Sequence, residues 1–253
     1  MRVEGHVAMV TGGGSGIGRA CALMLAQEGA DIVVADIDAA AGERVAGEVK
    51  ALGREALTLA TDTSVKSQVR KIVAEGTARF GKIDILVNNA GIGAGGPVRD
   101  LDEAVWDRVV SVHLKSMFLC SQAVMESMIQ RGWGRIVNTI SRAAFRGRAG
   151  VGPYSAAKGG MLAFSRVLAV EAAQYGITVN NVAPGTTVTP MVEAAYDTLE
   201  LQEEEARTSG VVTTPVRLAW PEEIAAAVLY YCGPHSDQVT GMTIHVNGGS
   251  YMP

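Results

Sequence analysis

Val7-Ala-Met-Val-Thr-Gly-Gly-Gly-Ser-Gly-Ile-Gly18 decides how this chain is read. Val7–Val10 is a short apolar run of the kind a buried strand uses. Glycines break it, and Arg19–Glu28 then has helical spacing, with Ala20, Leu23, Met24 and Ala26 apolar and Gly29 as the stop. A strand, a glycine-rich turn and a helix make a phosphate cradle. Glycine lets backbone approach a pyrophosphate, and the helix N-terminus offers free N–H groups and a positive dipole end. The spacing is G-x-x-x-G-x-G rather than G-x-G-x-x-G, so the flanking strand and helix carry the assignment. Gly12, Ser15, Gly16, Ile17 and Gly18 are the candidate cradle residues.

Downstream, Ile32–Ala35 is a second strand and Asp36 ends it. An acid about 20 residues beyond the glycines is placed to accept hydrogen bonds from an adenosine ribose. It would also repel a 2′-phosphate, and neither Ser15 nor Ile37 supplies the cation such a phosphate wants, so NAD is expected in preference to NADP. Further strands are expected at Glu55–Ala60, Ile83–Val87, Gly134–Asn138, Ile177–Ala183 and Met242–Val246. Helices are expected over 38–51, 65–80 with Ser64 as cap, 102–109, 112–130, from Pro153 onward, and from Pro221 to about Tyr231. This alternation predicts an α/β fold: one Rossmann-type, doubly wound parallel sheet of about seven strands with helices on both faces. A single domain over 1–253 is expected, with a substrate lid at about 186–216. Ligands of such sheets sit at the carboxyl ends of the strands. Asp36, Asp62, Asn88–Gly91, Ser141 and Pro184-Gly185 all fall there.

Composition narrows the class. The 253 residues are 48% hydrophobic and 19% charged with net charge −4, which gives no basic excess for nucleic acid. No apolar run approaches the ~20 residues that span a bilayer, and the residues before the first strand are not expected to act as a signal peptide. Cys21, Cys120 and Cys232 are scattered, with no metal-ligand spacing, so buried free thiols in a cytoplasmic, soluble protein are expected, with no metal.

Tyr154 and Lys158 are four apart in the run opened by Pro153, and on a helix they share a face. A free Tyr titrates near ~10 and Lys near ~10.4. A neighbouring cation favours phenolate, so the pair suits proton exchange with an alcohol or ketone, and Ser141 can steady the oxygen on which charge develops. The spacing alone recurs by chance; its context gives it weight.

Taken together, Thr11-Gly12-x-x-x-Gly16-Ile17-Gly18, Asn88-Asn89-Ala90-Gly91, Ser141, Tyr154-x-x-x-Lys158, Pro184-Gly185 and Val246-Asn247-Gly248-Gly249 resemble the short-chain dehydrogenase/reductase family over essentially the whole chain. The resemblance implies an NAD-dependent oxidoreductase acting on a CH–OH group of a small molecule. It implies Tyr154 as acid/base, Lys158 as the group that lowers the Tyr pKa and holds the nicotinamide ribose, and Ser141 as the orienter of the substrate oxygen. Asp62 and Thr63 would meet the adenine edge, Asn89, Ala90 and Gly91 the neighbouring cofactor face, and Pro184, Gly185, Thr187 and Thr189 the nicotinamide end. A homotetramer is implied, with helices 112–130 and 154–175 and the last strand in interfaces. One position departs: His113 stands where the family commonly has Asn supporting a water chain to the Lys. Imidazole can donate or accept and can titrate near neutrality, so His113 is expected to join the proton relay.

For the substrate, Ala94, Gly95, Arg142–Phe145, Gly152 and the lid are candidate pocket residues. Arg142, Arg146 and Arg148 crowd one loop, and arginine binds carboxylate or phosphate bidentately. The Glu200 and Glu203–Glu205 cluster is expected to face solvent. A cyclic or acyl secondary alcohol is the expected substrate, with a 3-oxoacyl-thioester reductase or a non-catalytic NAD sensor or scaffold as alternatives.

Overall fold

The structure is a computed structural model that describes residues 1–193 and 217–252. Seven parallel strands form its centre: β1 Val7–Thr11, β2 Asp31–Asp36, β3 Ala56–Ala60, β4 Ile85–Asn88, β5 Gly134–Thr139, β6 Ile177–Pro184 and β7 Thr243–Val246. Their order is β3-β2-β1-β4-β5-β6-β7. All six pairings are parallel.

Every residue of β1, β4, β5 and β6 is buried, as parallel strands covered on both faces require. Side chains alternate between two cores. Ala8, Val10, Ile32 and Val34 join α1 (Gly16–Gln27), α2 (Ala39–Ala51) and α8 (Pro221–Cys232). Val7, Met9, Val33 and Ala35 join α3 (Lys66–Phe80), α5 (Ser116–Arg131) and α6 (Gly152–Ala173). The predicted α/β sheet with helices on both faces is therefore present. Two shorter helices are α4 (Glu103–Val110) and α7 (Pro190–Glu193).

The chain runs outward through β2 and β3, then returns to place β4 beside β1. That reversal is the topological switch point at which ligands bind in such sheets. It is tied shut: the Thr11 hydroxyl accepts from the N–H groups of Asn89 (2.9 Å) and Ala90 (3.1 Å), and the Asn89 amide donates to the carbonyls of Thr11 and Gly12, both at 3.2 Å. Behind it the Asn88 amide donates to Asn138 (2.9 Å), and the Asn138 amide to Asn181 (3.1 Å), crossing β4, β5 and β6 in one buried chain.

Three expectations are corrected. The helices expected at 102–109 and 112–130 are joined. Between α4 and α5 the backbone stays right-handed through a π-helical turn, Ser111–Lys115, instead of a break. Ser64 does not cap α3; its hydroxyl donates to Asp62 at 2.6 Å, and Val65 occupies the cap position without a side-chain bond. Helix α1 starts at Gly16, inside the glycine turn. Of the expected lid, residues 194–216 lie outside the described residues, as do Glu200 and Glu203–Glu205. Cys21, Cys120 and Cys232 are free and buried, and burial raises all three thiols. Among the described residues no helix is long and apolar enough to cross a membrane, and no His/Cys/Asp/Glu group has metal-holding geometry.

Candidate active site

One cavity of about 960 Å³ opens over the strand ends. It is lined by Gly12, Ser15, Gly16, Ile17, Asp36 and Ile37; by Asp62, Thr63, Asn89, Ala90 and Gly91; and by His113, Ser141, Tyr154, Lys158, Pro184, Gly185, Thr187 and Thr189. These are the expected site residues with one exception. Gly18 is buried behind the turn, where a Cβ would lie 1.9 Å from the Gly12 carbonyl oxygen. Its part is to let α1 pack against the cradle.

The cradle needs glycine where backbone crowds it. Gly12 has φ +59°, and a Cβ there would meet Ala90 Cα at 2.9 Å. At Gly14 a Cβ would meet Ala41 at 2.7 Å and Asp36 at 2.9 Å. The Ser15 side chain makes no cap bond, so the first N–H groups of α1 have no side-chain cap. Asp36 is held at the end of β2: it accepts from the Gly14 N–H at 2.8 Å and the Asp38 N–H at 2.9 Å. The cap of α2 is Asp38, which accepts from Ala41, so Asp36 has no helix to cap. Burial alone would raise the Asp62 carboxyl, but the Ser64 hydroxyl and N–H and the Arg108 guanidinium outweigh it and hold it below the usual range. Nothing in the sequence pointed to Arg108, 46 residues away from Asp62 and brought to it by α4.

Ser141, Tyr154 and Lys158 converge from β5 and α6. Burial pushes the Tyr154 phenol up; the Ser141 hydroxyl, hydrogen-bonded to it, and the Arg142 guanidinium pull it back. The sequence assigned that pull to Lys158. Lys158 is 3% exposed, and burial lowers its ammonium to about 7, so it carries only part of a charge at neutrality. Its Nζ donates to the Thr139 carbonyl at 2.6 Å and stands 5.6 Å from the Tyr154 ring centre. Arg142 also donates to the Thr186 hydroxyl at 3.2 Å, so it bridges the cleft from the catalytic turn to the segment after β6.

His113 rides on the π-helical turn, edge-on to the Tyr154 ring at 5.2 Å. Its Nε2 lies 3.1 Å from the Ile92 nitrogen and 2.9 Å from the Ile92 carbonyl oxygen, so either tautomer finds a partner there. Nδ1 is buried with no partner. Burial first, then the Lys158 charge, lower the ring to about 3. Of the two states open to an imidazole here, its surroundings favour the neutral ring. Gly91 is what admits it, since a Cβ there would lie 2.3 Å from His113 Cε1.

Of the candidate substrate residues, Ala94, Gly95, Arg142 and Ala143 line the cavity, together with Arg146 and Arg148. Ala144, Phe145 and Gly152 do not; Phe145 turns instead onto Tyr251 and His245.

Residues 6–200 match the family described as short chain dehydrogenase. The chain is 41% identical over 249 residues to the (2S)-[(R)-hydroxy(phenyl)methyl]succinyl-CoA dehydrogenase subunit BbsD of Thauera aromatica, covering 98% of each. It is 38% identical to the 3-oxoacyl-[acyl-carrier-protein] reductase FabG of Escherichia coli, covering 100% of each. Among solved structures, a 7 alpha-hydroxysteroid dehydrogenase complexed with NADH and 7-oxo glycochenodeoxycholic acid superposes with TM-score 0.92 at 32% identity, over 98% of this chain and 95% of that one.

Proposed function

The chain belongs to the short-chain dehydrogenase/reductase family, and on that premise we propose that it is an NAD-dependent oxidoreductase of a secondary alcohol or ketone. The observation that carries the reading is the meeting of Ser141, Tyr154 and Lys158 in one cavity with the glycine cradle and Asp36. A nicotinamide held in this cavity would supply the hydride chemistry. The cradle N–H groups hold the pyrophosphate. The Asp36 carboxylate accepts from the adenosine ribose hydroxyls and repels a 2′-phosphate, with Ile37 offering no cation in exchange. Ser141 orients the substrate oxygen. Tyr154 takes the alcohol proton in oxidation and returns it in reduction, and Lys158 holds the nicotinamide ribose. His113 stays neutral and supports the proton relay by position, its ring edge-on to Tyr154 at 5.2 Å.

A second reading is an acyl-thioester substrate. Arg142, Arg146 and Arg148 line the substrate end of the cavity, and two relatives are named for substrates carried on coenzyme A or acyl carrier protein. A cytoplasmic homotetramer completes the proposal; exposed Phe118, Val167 and Val170 on α5 and α6 support an interface there.

The test is NADH formation across secondary alcohols and 3-hydroxyacyl thioesters, with NAD and NADP in parallel and Tyr154→Phe as control. Turnover with NAD that disappears in the variant is expected. Preference for NADP refutes the role given to Asp36. Tight NAD binding without turnover on any substrate favours the sensor alternative.

A further inference from the structure

Phe145 closes the turn that begins at Ser141. Its ring enters a three-ring cluster: it stacks on Tyr251 with centres 5.2 Å apart and planes 24° apart, and lies 4.9 Å from His245, which is 5.3 Å from Tyr251. His245 belongs to β7, and Tyr251 to the segment after it. That segment is folded on itself. The Asn247 amide donates to the Tyr251 carbonyl, and Asn247 Oδ1 accepts from the Gly249 N–H, both at 3.0 Å. The Ser250 N–H donates to the Asn247 carbonyl at 3.0 Å, and Gly248 and Gly249 turn the chain at φ +60° and +83°. On its other side Asn247 presses on Gly185, where a Cβ would lie 3.0 Å from Asn247 Cα. One folded segment thus backs both the catalytic turn and the cavity wall.

The turn itself is short. Ala143 N–H donates to Ser141 Oγ at 3.1 Å, Ala144 N–H to the Ser141 carbonyl and Phe145 N–H to the Arg142 carbonyl at 3.0 Å. A three-residue turn has little cohesion of its own, and a stacked ring at its end supplies an anchor. We infer that Tyr251 is a positioning residue, whose ring, stacked on Phe145, holds the Ser141–Arg142 turn where it acts on Tyr154. The groups that face the phenol are Ser141 and Arg142 from this turn, His113 from the π-helical turn and Lys158 from its own helix. Only the first two move with the turn, and both pull the phenol down.

The test needs no substrate at first: hydrogen–deuterium exchange of the full chain, comparing wild type with Tyr251→Ala and Tyr251→Phe. Tyr251→Ala is expected to speed exchange at 143–145 about tenfold, which is about 1.4 kcal/mol, while β1 and β4–β6 keep their protection. Tyr251→Phe keeps the ring and is expected to match wild type. Should Tyr251→Ala not fold, Tyr251→Leu keeps apolar bulk without the flat ring and is expected to speed the same amides. Unchanged exchange at 143–145, acceleration spread over the sheet, or a Phe variant as fast as Ala would overturn the inference. The second readout is the pH–rate profile. Its Tyr154 limb is expected to move to higher pH in Tyr251→Ala and to stay in Tyr251→Phe; slower turnover with an unmoved limb overturns the link to the phenol.

Discussion

Acid titration of His113 gives a quantity that can be worked from its surroundings. The folded ring, 1% exposed, titrates at about 3, while the free side chain titrates at 6.5. Between those values the unfolded chain holds a proton that the folded chain refuses, so stability falls as pH drops from 6.5 toward 3. At pH 4.5 the ring is two units below its unfolded value, and at about 1.36 kcal/mol per unit the loss is about 2–3 kcal/mol. Lys158, with a folded value of about 7, completes its protonation just below pH 7 in both proteins, so the comparison with His113→Asn removes its small share. The carboxylates contribute their own acid loss, which the comparison with His113→Asn removes, since Asn does not titrate. The assay is urea unfolding of both proteins at pH 7 and pH 4.5. Wild type is expected to lose about 2–3 kcal/mol more than the variant over that interval. Equal losses in the two proteins would refute the account of a neutral ring sealed in the site.

The same ring predicts a steric coupling. Gly91→Ala is expected to cost about 1–3 kcal/mol, and His113→Asn in the same chain to relieve much of it; additive costs in a denaturation cycle would contradict the contact. Asp36→Ser with Ile37→Arg is expected to raise the NADP/NAD ratio of kcat/KM about tenfold or more, because it removes the repelling carboxylate and adds a phosphate partner; an unchanged ratio counts against Asp36 as the selector. Arg146→Ala is expected to raise KM for carboxylate or thioester substrates about tenfold while neutral alcohols keep theirs. Loss on both classes alike would assign the residue to structure. His113→Asn is expected to displace the pH–rate profile, and an unmoved profile removes His113 from the relay.

Much of this was legible because it is local. Apolar runs bounded by glycine mark β1, β2 and β4, and the cradle and Asp36 follow from what a strand end must present. What stayed hidden is non-local or out of period. A π-helical turn inserts a residue, so the apolar spacing at Val110–Val112 loses phase as it would across a loop, and two helices were expected where the backbone is continuous. The spacing of Tyr154 and Lys158 placed a cation beside the phenol. It could not say that β5 and the fold around α6 bury that cation until its charge weakens, or that the Ser141 hydroxyl and then Arg142 oppose the upward push of burial on the phenol. Gly18 looked like its neighbours in the motif, and only the approach of α1 to the Gly12 carbonyl separates packing from binding. Phe145 belongs to a residue run that enters the cavity, and its partner Tyr251 lies more than a hundred residues away.

An α-helix turns about 100° with each residue, so one residue added to an unbroken helix would rotate everything beyond it. The wider π turn at Ser111–Lys115 takes up its extra residue within about one turn instead. Arg108 on α4 therefore keeps its reach to Asp62 at 3.2 Å, while Leu119, Cys120, Val124 and Met128 on α5 keep facing the sheet. Chain-length variation is usually left to loops, which absorb it as slack. Here a helix absorbs it, and the bulge that results is what carries His113 to the cavity.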